Sequence, residues 1–199
     1  MTGGGRRRLT LDDVADLRAY ERERDAFRQH VIALKQRRRV AVGELLSLVF
    51  ENRDTIRFQV QEMARAERLL TDEQVQTELD VYNPLIPAPG ELSATLFLEL
   101  TTEEQLRRWL PQLVGIERAL VLRIGDDEVR CTPEEAHAAQ LTREDVTASV
   151  HYVRFTLTDE QVERFATEPV VLAADHPAYR AATPLSAETR AELLLDLRP

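Results

Sequence analysis

One cysteine, Cys131, and one lysine, Lys35, are all that 199 residues hold of those two types. A single thiol excludes an internal disulfide, a multi-cysteine metal site and an iron–sulfur cluster held by this chain alone. The single lysine leaves arginine to carry nearly all the positive charge. An overall coding preference for arginine then explains the runs Arg6-Arg7-Arg8 and Lys35-Gln36-Arg37-Arg38-Arg39 more simply than an anion site does. No apolar run approaches the ~20 residues that span a bilayer, so no membrane segment is expected. The N-terminus is positive but no apolar stretch follows it, which predicts a flexible tail over 1–8, no signal peptide and a cytoplasmic location. A formal net charge of −9 argues against general nucleic-acid binding, which depends on neutralising phosphates. There is no G-x-G-x-x-G, no Walker loop and no G-x-S-x-G, so nucleotide and serine-hydrolase signatures are missing too.

With 43% hydrophobic and 31% charged residues, the chain reads as a globular protein able to bury a substantial core. Thr10 caps an expected short helix at Leu11 to Arg18, and a longer one covers Glu21 to Gln36, with Phe27, Val31 and Leu34 on one face. Val40 to Gly43 and Leu45 to Glu51 read as strands. Asn52 caps a helix running to Leu70. The pentapeptide Thr-Asp-Glu-Gln-Val occurs at Thr71 and again at Thr158, with variants at Thr102 and at Thr132. All four fit the capping box and predict helix starts, the fourth reinforced by Pro133 at its first position.

Tyr82 to Gly90 holds three prolines and a glycine, which predicts an extended connector over 82–91. Beyond it, Leu92 to Leu100 alternates apolar and polar residues and reads as a half-buried strand. Strands at 119–124, 128–131, 150–157 and 170–174 follow, with helices at 103–113, 159–167 and 187–197. The sum is one α+β domain over 9–199: a helical part to about 81, then a sheet-rich part over 92–199. Its helices are expected to pack on a mainly antiparallel sheet of about five to seven strands, with strand–helix–strand units in the C-terminal part.

Three polar residues look out of place. Steps of ~100° per residue put Glu67 in the middle of a seam formed by Ile56, Val60, Met63 and Leu70, where a carboxylate costs free energy unless paired. His151 shares its strand face with Val153, Phe155 and Leu157. His176 lies just past a strand end, in Asp175-His176-Pro177. Two imidazoles and a carboxylate form a recognised ligand set for a divalent metal, so His151, His176 and Glu67 are one candidate site, although no ligand spacing in the sequence joins them. The plainer alternatives are a satisfied core histidine, a turn, and an acid that pairs with an arginine or reaches water as the helix end frays. Cys131 is a weaker candidate for catalysis, since nothing nearby would lower its pKa.

The motifs Arg38-Arg39-Val40 with Gly43, Phe50-Glu51-Asn52-Arg53-Asp54-Thr55, Gln59-Val60-Gln61-Glu62-Met63, Tyr82-Asn83-Pro84-Leu85-Ile86-Pro87, Val150-His151-Tyr152 and Asp175-His176-Pro177-Ala178-Tyr179 stand out together. They resemble those of the bacterial family catalogued as domain of unknown function 3501. The resemblance covers about Leu9 to Leu197. Arg38, Arg39, Arg53, Arg57, Gln59, Glu62, Tyr82 and Asn83 are candidate ligand-binding residues, the arginines, with Arg37, because guanidinium groups bind phosphate and carboxylate bidentately, although Glu62 reads more simply as a solvated acid paired with a nearby arginine. The resemblance also implies a genomic setting beside rubrerythrin-like and iron–sulfur proteins, and so an accessory role in a redox or oxidative-stress system. An electron-transfer role would need such a partner, because this chain cannot hold its own cluster.

Overall fold

The structure, a computed structural model, describes residues 8–134 and 146–198. The chain clusters into two compact units, Met1–Gln36 with Glu51–Pro87, and Arg37–Phe50 with Ala88–Pro199. The class is α+β, as the sequence predicts.

The first unit is helical. It contains a 3-10 turn at Leu11–Asp13, the body of α1 (Leu17–Arg38), α2 (Arg53–Glu67), α3 (Asp72–Tyr82) and a second 3-10 turn at Asn83–Leu85. The helix expected at Leu11 to Arg18 is thus shorter than its capping signal implies. Asp13 folds back to accept from Thr10 N at 2.8 Å, and Val14 leaves the turn in an extended conformation (φ −107, ψ 111). At α2 the Asn52 side chain accepts from Thr55 N at 3.0 Å while Thr55 Oγ1 accepts from Asn52 N at 2.9 Å, the reciprocal cap expected there.

That helix stops at Glu67 and not at Leu70, because Arg68 turns left-handed (φ 54) and its N–H closes on Ala64 O and Arg65 O. The early stop also changes the seam. Ile56, Val60, Gln61 and Ala64 are buried, whereas Glu67 and Leu70 are exposed. In the proline-rich connector the residues after α3 form a 3-10 turn before the chain becomes extended at Ile86; Pro84 is tolerated there because its missing N–H falls in the first turn.

Two side-chain amides hold the segment before α1. Asn83 accepts from Leu9 N at 2.8 Å and donates to Leu9 O at 3.0 Å. Gln61 accepts from Ala15 N at 2.7 Å and donates to Ala15 O at 3.2 Å. Each amide reproduces the donor–acceptor pair of a β-bridge, so an otherwise unpaired backbone is satisfied at two points.

The second unit carries two sheets. One has the order β1 (Arg39–Val42), β2 (Leu46–Glu51), β3 (Glu91–Leu98), β7 (Val150–Thr156), β6 (Thr132–Pro133). The other has the order β5 (Asp127–Arg130), β4 (Leu120–Ile124), β8 (Val170–His176), β9 (Tyr179–Pro184). Helices α4 (Glu103–Trp109), α5 (Asp159–Thr167) and α6 (Ala187–Leu197) complete it. Both sheets contribute to one hydrophobic cluster, including Leu48, Phe50, Leu96 and Phe155 from the first and Leu122 and Leu172 from the second.

Nine strands among the described residues exceed the five to seven expected, and the two extra ones have physical causes. Thr132-Pro133, expected to open a helix, instead pairs with β7 in the register Thr132↔Arg154 and Pro133↔Val153, so tertiary pairing overrides the capping signal. The rest of that expected helix, from Glu135 and including His137, lies outside the described residues. The strand β9 has no apolar alternation to announce it; it exists through its pairing with β8, from Val171↔Pro184 to His176↔Tyr179. β3 is also less half-buried than its alternation suggests: Ser93 and Thr95 on its second face are buried as well.

Candidate functional site

The proposed metal ligands are each engaged separately. His151 sits on β7, opposite Leu96 and only 2% exposed, as the apolar face predicts. Its Nε2 donates to Ala148 O at 2.9 Å and lies 2.8 Å from Thr147 Oγ1. Burial lowers its pKa, so the ring is neutral at pH 7. His176 Nε2 lies 3.0 Å from Val114 O and Nδ1 accepts from Ala178 N at 3.2 Å, which fixes the Nε2–H tautomer and uses both ring nitrogens within the fold. Glu67 is an exposed residue of the helical unit, close enough to Glu78 to help burial raise that acid's pKa. Among the described residues no three His, Cys, Asp or Glu side chains are placed to hold a metal ion.

Cys131 is buried and donates to Glu117 O at 3.1 Å; burial pushes its thiol up to about 11, far from a nucleophilic thiolate. Glu117, on the turn after α4, was not singled out by the sequence. It is buried, yet its Oε2 has no hydrogen-bond partner.

The arginine and amide candidates are also consumed internally. Arg38 is wholly buried, with Nε donating to Phe50 O at 2.8 Å, Nη1 to Glu192 at 3.2 Å and Nη2 to Asp196. Arg39 Nη1 meets Ser47 Oγ at 2.9 Å and Glu99 at 3.0 Å, with its guanidinium over Phe97. Arg53 pairs with Asp13 at 2.5 Å; Arg57 donates to Asp13 O at 2.7 Å and to Glu23 at 3.1 Å and lies over Phe27. Glu62 takes a bidentate pair from Arg24, both bonds at 2.8 Å, and a 2.7 Å bond from the Tyr20 hydroxyl. The Arg24 guanidinium holds the Glu62 carboxyl below the usual carboxylate range. Burial raises the Tyr82 hydroxyl's pKa, partly offset by a bond with Gln59, and Asn83 is spent on Leu9. These residues build the helical unit and the β1–α6 junction, and none presents an open anion site.

A different place has the shape of a ligand site. In the sheet unit a cleft of about 460 Å³ is bounded by the β1–β2 turn at Gly43 to Leu45, by α4 through Glu104, Arg108 and Trp109, and by β9 through Tyr179 to Ala181. Its floor is aromatic: the Trp109 and Tyr179 rings meet edge to face with centroids 6.4 Å apart at 83°. The Tyr179 hydroxyl donates to Val42 O at 2.8 Å and accepts from Leu45 N at 3.2 Å, which ties the turn to β9. Gly43 makes this approach feasible. It is left-handed (φ +65), and a Cβ there would collide with the Tyr179 hydroxyl and come within 2.8 Å of Ala181 Cβ.

The charges at the rim are arranged unusually. Glu103 and Arg107 form an i,i+4 pair at 2.5 Å on α4. Glu104 and Arg108 have the same spacing one residue on, but Arg108 instead places its guanidinium 5.2 Å from the Trp109 ring centroid. Arg108 lines the cleft, and no described carboxylate pairs with it. The sequence signal for this site was the only tryptophan of the chain, at the end of a capped helix, together with Gly43 and Tyr179 inside two of the family motifs.

The chain belongs to the family described as Protein of unknown function (DUF3501), which it matches over residues 8–197. It is similar to a protein of unknown function from Burkholderia pseudomallei K96243 whose crystal structure is 38% identical, with a TM-score of 0.87 over 95% of this chain and 98% of that one. None of the curated proteins matches. No helix among the described residues is long and apolar enough to cross a membrane.

Proposed function

We propose that this member of the DUF3501 family is an accessory binding protein whose recognition site is the Trp109–Tyr179 cleft, serving a cytoplasmic redox or oxidative-stress system. The observation that carries the reading is Arg108, turned away from Glu104 onto Trp109 and left without a described carboxylate at the mouth of an aromatic cleft. A concave, mostly apolar surface with a few convergent polar groups is the usual form of a ligand site. The side chains best suited to catalysis favour a binding role: the two candidate histidines and Cys131 are buried and bonded within the fold. The redox setting rests on the genomic company of the family, and its partners are rubrerythrin-like or iron–sulfur proteins.

The test is capture from lysate of the native host under anaerobic conditions, with wild-type and Trp109→Ala baits. Recovery of a rubrerythrin-like or iron–sulfur protein by the wild type, lost in Trp109→Ala, is the expected result. Equal recovery by both baits would remove the cleft from the reading, and recovery of neither class of partner would remove the redox setting. Elemental analysis of protein purified without chelators bears on the rival metal-site reading. Stoichiometric metal that disappears in His151→Ala and His176→Ala would displace the binding reading.

A further inference from the structure

We infer that the cleft takes a small aromatic acid, its ring against Trp109 and Tyr179 and its carboxylate on Arg108. This deepens the binding reading and rests on the cleft being the recognition site. The argument starts with which polar groups are already used. The Tyr179 hydroxyl is satisfied at both its donor and an acceptor position by Val42 O and Leu45 N. Gln105 Oε1 accepts from Thr101 N, Thr101 Oγ1 and Thr102 N, at 2.9, 3.2 and 3.1 Å. Arg180 directs its Nε toward Asp175 at 3.4 Å. What the cleft offers a ligand is therefore two aromatic rings, the small side of Gly43 and Ala181, and the planar donor set of Arg108 on Trp109, with the terminal nitrogens of the exposed Arg180 as a second, less fixed cation.

A guanidinium already seated on a ring is pre-oriented, so it loses little freedom when a carboxylate docks on it bidentately. The rim acids Glu44 and Glu104 set the rest of the specificity. They repel a bare inorganic anion, whose whole affinity would be electrostatic, more than they penalise a ligand bound mainly through an apolar body. The volume, about 460 Å³, suits a ligand of one ring and a short acidic arm.

Trp109 is the only tryptophan, so its emission reports this cleft and nothing else. The experiment titrates the full-length protein with phenylacetate, phenylacetamide, phenethylamine and inorganic phosphate, up to about 10 mM each, a range that detects millimolar affinity. The expected result is saturable change with phenylacetate, at least about tenfold weaker binding of the uncharged amide, and a similar loss for phenylacetate in Arg108→Gln, as for any hydrogen bond to a charged group. Arg108→Lys keeps the charge but not the fork and recovers only part of the affinity. Far-UV circular dichroism confirms that each variant is folded.

Equal binding of acid and amide, tighter binding of the amine, binding of phosphate as strong as that of phenylacetate, or an unchanged affinity in Arg108→Gln would each overturn the inference. So would the absence of any spectral response. Should that happen while Trp109→Ala still abolishes partner capture, the cleft remains the recognition site and only its ligand chemistry is wrong.

Discussion

Replacing Gly43 by alanine tests how the cleft is built. The backbone there has φ +65, a conformation that costs an L-residue with a Cβ about 1–2 kcal/mol. The new methyl would also overlap the Tyr179 hydroxyl, which must move and give up its bonds to Val42 O and Leu45 N. Two hydrogen bonds at about 1 kcal/mol each bring the expected loss to about 3–4 kcal/mol. Urea denaturation followed by Trp109 emission measures it. The native spectrum should shift as well, because Tyr179 is the edge-to-face neighbour of Trp109.

Tyr179→Phe alone should cost about 2 kcal/mol, the hydroxyl's two bonds. The double variant should then cost less than the sum of the two, since those bonds can be lost only once. Strict additivity, or a Gly43→Ala protein with unchanged midpoint and spectrum, would refute the account of the turn.

Three further outcomes follow from the buried chemistry. Arg38→Leu removes the buried guanidinium that pairs Asp196 and Glu192, leaving Glu192 its 3.1 Å pair with Arg37, and should lower unfolding stability by about 3 kcal/mol, the low end for breaking a buried pair, read from denaturant melts. Glu62 titrates lower folded than unfolded, so its ionised form stabilises the fold above its ordinary value of 4.5 and that contribution is lost as pH falls through the folded value. The stability gap between wild type and Glu62→Gln should therefore narrow on acidification, and a gap that is constant with pH would contradict the pairing with Arg24. Cys131, with its thiol near 11 and buried, should resist a thiol-specific reagent at pH 8 in the native protein and react fully in denaturant.

Most helices of both units were legible in the sequence because helix signals are local. Asn52, Thr71, Thr102 and Thr158 each cap the helix they announce. Thr132 carries the same signal yet lies in a strand, since pairing with β7 depends on residues about twenty positions away and a capping box registers only its own turn. Glu67 reaches water at the helix end, as its plainer alternative has it, and only its place in the middle of the seam is corrected. The seam assumed three more helical residues, and a left-handed Arg68 cannot be foreseen from a pattern that counts apolar positions. His151 was placed correctly on its apolar face, because strand alternation is a property of the backbone itself.

By itself, the sequence determined the α+β class, the helix starts at Asn52, Thr71, Thr102 and Thr158, and the family, and its single cysteine excludes an internal disulfide. Local propensity and hydrophobic period suffice for the class and for most helix starts, whereas the family rests on the resemblance of its motifs, which the match over residues 8–197 bears out. Only the tertiary structure decided which charges are free. In a chain where arginine supplies almost every cation, the sequence cannot separate Arg38, buried between Glu192 and Asp196, from Arg108, open on Trp109. Whether a guanidinium is spent or available depends on which carboxylate the fold brings within reach, and for Arg38 that carboxylate, Glu192, lies 154 residues further along the chain.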